Sequence, residues 1–363
     1  MKITDVALFR APIAFAGTTY KLSGGRSYEA LDSTLVRLET DAGITGWGEI
    51  CPWGRDYLPE FAEGARAALT VMAEGLKGLD PCNPAAVNAA MDRLLMGHPY
   101  AKAAVDVACW DIFGKAAGQP VHALLGGRQA ERIPMLSSLY NGTPDDMLAR
   151  VEASRAEGVR SFSAKASGDP AADIEVFRAI AEARRPDETF IVDANGGWSV
   201  PAALQVLGAV DGRGLMFEQP CATLSECLGV KERMVSPFVL DESAITAEDL
   251  TQILRLGAAD ALHFKISRVG GITRARMFRD FCAVGGLSSF WEASGGSAVA
   301  DAAAAHVAIS APAGAPHKFW SCQEYAAAAF ASGGPTYEDG MMSLPDAPGL
   351  GVEVSESELE QIL

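Results

Sequence analysis

No run of about 18 apolar residues occurs in the 363-residue sequence, so no segment reads as a membrane-spanning helix. The first 15 residues carry Asp5, Arg10 and Pro12 where a secretory leader needs an unbroken apolar centre, and no leader is expected. Cysteine is sparse: the seven residues are scattered and none is spaced C-x-x-C, which excludes a disulfide framework. Reduced thiols and a cytoplasmic location are the expectation. Positive charge is also short, with 30 Lys and Arg against 46 Asp and Glu. The net charge of −16 repels phosphate backbones and argues against nucleic acid as a partner. An acidic enzyme acting on an anion then needs a metal or local lysines. His98, His122, His263, His306 and His317 show neither H-x-x-x-H nor H-x-x-E spacing, and all five read as structural.

What is present falls into two textures. Residues 31–49 alternate and turn at Asp41-Ala42-Gly43, a hairpin. Helical patterns follow over 57–76, 84–95 and 100–117, the last stopped by Gly118 and Pro120. Stretches 15–26 and 51–57, rich in Gly and aromatics, read as loops that could cover a site. From residue 132 short apolar strands alternate with Ala-rich helices. The strands cover 132–137, 161–165, 189–193, 215–218, 237–241, 261–265, 287–292 and 317–320, one strand-plus-helix unit every 23 to 28 residues. That is the count and period of a (β/α)8 TIM-type barrel. A doubly wound sheet would carry a glycine fingerprint after its first strand, and none is there. The expected organisation is α/β: an α+β capping domain over 1–128, the barrel over 129–325, and a Pro- and Gly-containing tail over 326–363 that returns to the cap.

Barrel chemistry gathers at the C-terminal ends of the strands. Those positions read Lys165, Asp193 with Asn195, Glu218, Asp241 with Glu242, Lys265, Glu292 and Trp320. One carboxylate closing a strand is ordinary. Three on consecutive strands supply hard oxygen ligands at one mouth, a set suited to one Mg²⁺ per subunit. Lys165 and Lys265 lie two strands before and two strands after the strand of Glu218, on opposite sides of such an ion. Either lysine alone could be an ion-pair partner; together they form a two-faced acid/base pair around one substrate carbon. An ammonium beside a divalent ion and a second ammonium is expected to have a lowered pKa, as a general base requires.

Several longer motifs accompany these residues: 103–115 (AAVDVACWDIFGK), 124–127 (LLGG), 192–195 (VDAN), 217–220 (FEQP), 240–243 (LDES) and 265–273 (KISRVGGIT). Over essentially its whole length the chain resembles the enolase superfamily, in its mandelate racemase/muconate lactonizing enzyme subgroup. The resemblance implies Asp193, Glu218 and Asp241 as Mg²⁺ ligands and Lys165 and Lys265 as opposed catalysts. It also implies removal of the proton next to a carboxylate, through an enediolate that the ion stabilises as a Lewis acid. Mandelate-racemase types would place a histidine after strand seven, where Glu292 stands. The family's Lys-x-Lys of strand two reads Ser163-Ala164-Lys165, which keeps the base and removes one positive charge beside it. Ser163, Asn195 and Glu242 stand behind the principal residues.

Glu292 and Trp320 bear on the substrate. Glu292 could pair with Lys265 and Trp320 could be barrel packing. The other reading is a pocket for a cationic nitrogen, with an anion on one side and an aromatic face on the other. A dipeptide epimerase would carry Asp-x-Asp after strand eight, where Trp320-Ser321-Cys322-Gln323-Glu324 stands, and a muconate has no cation for Glu292 to meet. The resemblance then points to the proline-derivative members, with cis-3-hydroxy-L-proline dehydration and competing 2-epimerisation as the first expectation. A hydroxyproline-betaine or proline-betaine 2-epimerase is second, ahead of other amino-acid or dipeptide epimerases, a cycloisomerase and a non-enzymatic carboxylate-binding barrel. Tyr20, Trp53 and Tyr57 could close over a substrate ring, with loop packing as the ordinary alternative. A small carboxylate, a proline derivative, is the expected partner, with a homo-oligomer and neither membrane nor nucleic acid.

Overall fold

Both faces of the first strand are covered. In the computed structural model, which describes residues 1–15, 19–140, 142–312, 317–326 and 328–363, β1 (Ile3–Ala14) pairs antiparallel with β2 (Ala30–Thr40), and β2 with β3 (Thr45–Ile50). Val6 and Leu8 pack with the cap helices, while Ala7 and Phe9 join the barrel-side core. That double burial erases the polar/apolar alternation, which is why the sequence reading contains no strand over 3–14.

Three helices lie on this sheet: α1 (Ala62–Leu76), α2 (Pro84–Leu94) and α3 (Pro99–Ala117). The first starts later than the expected residue 57. Pro59 disfavours helix at Leu58, and Phe61 stays extended as the N-cap, so Tyr57 remains on a loop. Of the expected loop over 15–26, residues 16–18 lie outside the described residues.

Eight parallel strands follow: β4 (Ser137–Leu139), β5 (Ser161–Lys165), β6 (Thr189–Asp193), β7 (Leu215–Glu218), β8 (Phe238–Leu240), β9 (Ala261–Lys265), β10 (Ser288–Glu292) and β11 (His317–Phe319). Each hydrogen-bonds its sequence neighbours. A parallel bridge between Met135 and Phe319, with Leu136 N donating to Phe319 O at 2.8 Å, closes the ring. The crossovers are α4 (Pro144–Ala156), α5 (Pro170–Ala183), α6 (Val200–Val210), α7 (Leu224–Lys231), α8 (Ala247–Leu256), α9 (Ile272–Gly285) and α10 (Ala298–Ile309). Thr143, Thr223 and Thr246 start α4, α7 and α8 with reciprocal capping boxes. The barrel is the TIM type expected, with two local differences.

The segment expected as one strand over 132–137 is split. Ile133–Pro134 pairs with Met341–Ser343 of the tail, and the barrel strand begins only at Ser137. Proline cannot donate to a central ladder, which confines this stretch to an outer pairing. The eighth strand is followed by a 3-10 turn, Cys322–Glu324, where the eighth helix would stand. The chain then reaches the cap, where Glu360–Gln361 pairs with β1.

Buried acids join the layers. Glu49 on β3 accepts from Ser33 Oγ at 2.5 Å, Ser297 N at 3.0 Å, Ser297 Oγ at 2.6 Å and Ala300 N at 3.2 Å, and so caps α10. In α3, Asp106 accepts from Thr273 N at 2.9 Å and from Asn88 Nδ2 at 2.5 Å. Asp111, one turn on, takes Trp47 N at 3.0 Å and Leu350 N at 2.9 Å. The 103–115 motif is therefore a fastening between cap, barrel and tail. Gly48 permits it, since a Cβ there would lie 1.8 Å from Ala104 O of α3. No helix among the described residues is long and apolar enough to cross a membrane.

Candidate active site

The parallel register carries six ionisable side chains to one rim. Lys165, Asp193, Glu218, Lys265 and Glu292 end β5, β6, β7, β9 and β10, and Asp241 directly follows β8. Lys165 Nζ hydrogen-bonds Asp193 Oδ2. Lys265 Nζ lies 2.6 Å from Asp241 Oδ2 and 2.6 Å from Glu292 Oε1. The two amines thus stand at opposite ends of the arc β5–β9, with Asp193, Glu218 and Asp241 between them and Glu292 beyond Lys265. Glu292 is both the partner of Lys265 and part of the cavity wall.

The protein's own charges act on the lysines against the expectation of a lowered pKa. Burial disfavours both ammonium groups, but Asp193 and Glu218 outweigh it at Lys165, and Asp241 and Glu292 at Lys265, so both pKa values are raised. Burial likewise opposes ionisation of Asp241, yet Arg268 and Lys265 hold its carboxyl well below the usual range. Glu218 is pushed up by burial and by Asp193. The acids dominate the local field.

A metal has suitable donors here. Glu218 Oε2 is buried without a hydrogen-bond partner among the described residues, and carboxylate oxygens are the ligands Mg²⁺ prefers. Glu218 and Asp241 come together with His263, each offering an atom within 4.8 Å of the others. Asp193 is outside that group; its Oδ2 accepts from Lys165 Nζ and from Asn195 Nδ2 at 3.0 Å.

Asn195 adopts a left-handed φ of 45°, which lets its backbone N donate to Asp193 Oδ1 at 2.9 Å. Its amide also reaches Glu242 Oε1 at 3.2 Å. Burial together with Asp241 pushes the Glu242 carboxyl up to about 7. Tyr57 Oη donates to Glu242 Oε1 at 2.8 Å, and Ser163 lines the cavity near Lys165.

Tyr20 and Trp53 enter from the cap loops and pack at a centroid separation of 4.6 Å; Trp53 is 6.2 Å from Trp320. Trp320 Nε1 donates to Ser138 Oγ at 2.9 Å, and its ring stacks on Tyr325. All four expected aromatics, Tyr20, Trp53, Tyr57 and Trp320, line the one cavity that holds the lysines. Each also packs within the protein.

Three residues escaped the sequence reading. His263, read as structural, stands inside the site with Nδ1 2.8 Å from Glu218 Oε1. The available signal was its place two residues before Lys265, which puts both on the same face of β9. Arg268, within the 265–273 motif, places Nη2 2.6 Å from Asp241 Oδ1. Glu60, in the cap, is buried and pushed up to about 7 by desolvation. Nothing local in its sequence marks it.

Two family models cover the chain: mandelate racemase/muconate lactonizing enzyme, N-terminal domain, over residues 3–126, and enolase C-terminal domain-like over residues 146–358. The chain belongs to the mandelate racemase/muconate lactonizing enzyme family of the enolase superfamily. It is 38% identical to the cis-3-hydroxy-L-proline dehydratase of Roseibium aggregatum, across 97% of this chain and 96% of that one. It is 29% identical to the N-succinyl-L-Arg/Lys racemase of Bacillus cereus over 100% of this chain and 98% of the relative. A solved enolase-superfamily member from Roseovarius nubinhibens, complexed with magnesium, superposes with a TM-score of 0.94 at 39% identity, covering 100% of this chain and 98% of that one. The family member described here is a lyase or isomerase, of the dehydratase, epimerase and cycloisomerase group.

Proposed function

We propose that this enzyme is a Mg²⁺-dependent cis-3-hydroxy-L-proline dehydratase with competing 2-epimerisation. The observation that carries the reading is the pair of amines flanking one carboxylate cluster, Lys165 on Asp193 and Lys265 on Asp241. The likeness to the Roseibium dehydratase supports the substrate. One Mg²⁺ held by Asp193, Glu218 and Asp241 would supply Lewis-acid stabilisation to the substrate carboxylate and offset the acidic charge around both lysines.

In cis-3-hydroxy-L-proline the hydroxyl and the carboxylate share one ring face, so the C2 hydrogen lies on the other. Lys165, in the neutral form that offsetting the charge of Asp193 and Glu218 would favour, takes that proton. The C2–H electron pair is first delocalised into the substrate's own carboxylate, and then becomes the C2–C3 π bond as the C3–O bond breaks. Lys265, kept cationic by Asp241 and Glu292, gives its proton to the departing hydroxyl, which leaves as water. The cyclic enamine isomerises to pyrroline-2-carboxylate. Should Lys265 instead protonate C2, the product is the 2-epimer. Glu292 faces the ring nitrogen, and the aromatic walls exclude water from the ring.

A second reading, 2-epimerisation of a hydroxyproline or proline betaine, draws on Trp53 and Trp320, whose faces suit a quaternary ammonium. Incubation of cis-3-hydroxy-L-proline and of proline betaines in D₂O separates them. The first reading expects pyrroline-2-carboxylate from the free hydroxyproline. Deuterium at C2 of the betaines, with no loss of water from any substrate, would replace it with the second.

A further inference from the structure

We infer that His263 is a positioning residue that aims Glu218 at the metal, an inference that rests on the Mg²⁺ reading above. His263 and Lys265 alternate onto one face of β9. The His263 side chain reaches the acids of two other strands, with Nδ1 2.8 Å from Glu218 Oε1 and Nε2 3.6 Å from Glu292 Oε2. Facing a carboxylate acceptor, Nδ1 carries the proton and donates it to the hydrogen bond. His263 is 5% exposed, so that bond is shielded from water.

The bond divides the work of Glu218. Oε1 is occupied by the imidazole, whereas Oε2 is buried and has no hydrogen-bond partner among the described residues. A glutamate left alone turns freely about its last torsion. Held through Oε1, it presents Oε2 in one direction. Hydrogen bonds behind metal-binding carboxylates serve this purpose, and their loss typically weakens metal affinity about 10- to 100-fold. Direct ligation by His263 is the competing role, since its ring nitrogen lies within 4.8 Å of donor atoms of Glu218 and Asp241. Mg²⁺ favours oxygen, and Nδ1 already has its acceptor, so orientation is the role the geometry supports.

Calorimetric titration of the full-length chain with MgCl₂, without substrate, tests this. His263→Ala removes the donor; His263→Asn places an amide nitrogen near the Nδ1 position; His263→Gln reaches only toward Nε2. The expected result is a Mg²⁺ dissociation constant about 10- to 100-fold higher for the Ala and Gln variants, with most of the loss recovered by Asn. Thermal melts without added metal establish that each variant folds; if the Ala variant does not, the Asn and Gln pair carries the comparison. Unchanged affinity in the Ala variant, or an Asn variant no tighter than the Gln variant, overturns the inference. Mg²⁺ uptake by the wild type alongside either result removes the inference alone; no uptake by the wild type removes the Mg²⁺ reading with it.

Discussion

Two groups of buried acids in this molecule differ in their partners. At the seams, Glu49, Asp106 and Asp301 face backbone N–H groups, hydroxyls and amides: Asp301 takes Ser321 Oγ at 2.5 Å, Gln323 Nε2 at 3.1 Å and Tyr337 Oη at 3.2 Å. At the barrel mouth, Asp193 and Asp241 face Lys165, Lys265 and Arg268. Among the described residues a buried oxygen without a hydrogen-bond partner occurs in both regions, Glu218 Oε2 at the mouth and Asp301 Oδ1 at the seam. Neutral donors fix an acid in place and hold two elements together. Amine partners that themselves titrate, Lys165 and Lys265, place an acid within reach of a proton transfer. Burial alone therefore says little about chemistry. The partner says more.

The comparison breaks most sharply if mouth residues prove structural. Lys165→Ala is expected to lower kcat for dehydration by about 10²- to 10⁴-fold, the usual worth of a positioned base, while the variant stays folded. Steady-state kinetics with circular dichroism checks both halves; an unfolded variant would put Lys165 with the seam residues instead.

Glu49→Ala should do the reverse. It strands Ser297 N, Ala300 N and two hydroxyls in a dry seam, and each unsatisfied donor costs about 1–3 kcal/mol. A loss of about 3 kcal/mol or more in denaturant unfolding is expected, with kcat of the folded fraction largely retained. A stable variant that has lost its turnover would erase the distinction between the two regions.

The smallest effect is a pH slope. Burial pushes the Asp301 carboxyl up to about 6, above an unfolded value of about 3.9. The native state therefore binds the extra proton between those values. The stabilisation from this group is complete below about pH 4 and is lost as pH rises through about 6. Asp301→Asn removes that loss, so stability plotted against pH over this window becomes more positive in slope by up to about 1 kcal/mol per pH unit. Melts at pH 4, 5 and 6 test the sign. A parallel curve for wild type and variant would mean Asp301 is ionised throughout.

Legibility in the chain followed the range of each interaction. The barrel was readable because strand and helix recur locally, and strand ends then point to Lys165, Asp193, Glu218, Asp241, Lys265 and Glu292 without any knowledge of packing. Tyr20, Trp53 and Tyr57 could be noticed only as loop aromatics; that they meet Trp320 depends on how the cap sits on the barrel. Arg268 meets Asp241 from 27 positions further along the chain and buried Glu60 comes from the cap, and no spacing rule connects either to the strand ends. His263 is illegible in the sequence because no histidine spacing along the chain marks it, and its partners Glu218 and Glu292 lie on other strands. Asp106, and Asp111 with its own Lys115 ion pair, are visible in the sequence as part of a motif, but not as a fastening. Double burial hid β1.

The central claim is that two amines work on opposite faces of one substrate carbon. Proton exchange at C2 of L- and D-proline in D₂O, followed by NMR for the wild type, Lys165→Ala and Lys265→Ala with Mg²⁺ present, tests it most directly. The account predicts that the wild type exchanges both enantiomers, that Lys165→Ala loses exchange of the L form, and that Lys265→Ala loses exchange of the D form. Loss of the same enantiomer in both variants, or exchange of both forms surviving either substitution, would contradict it.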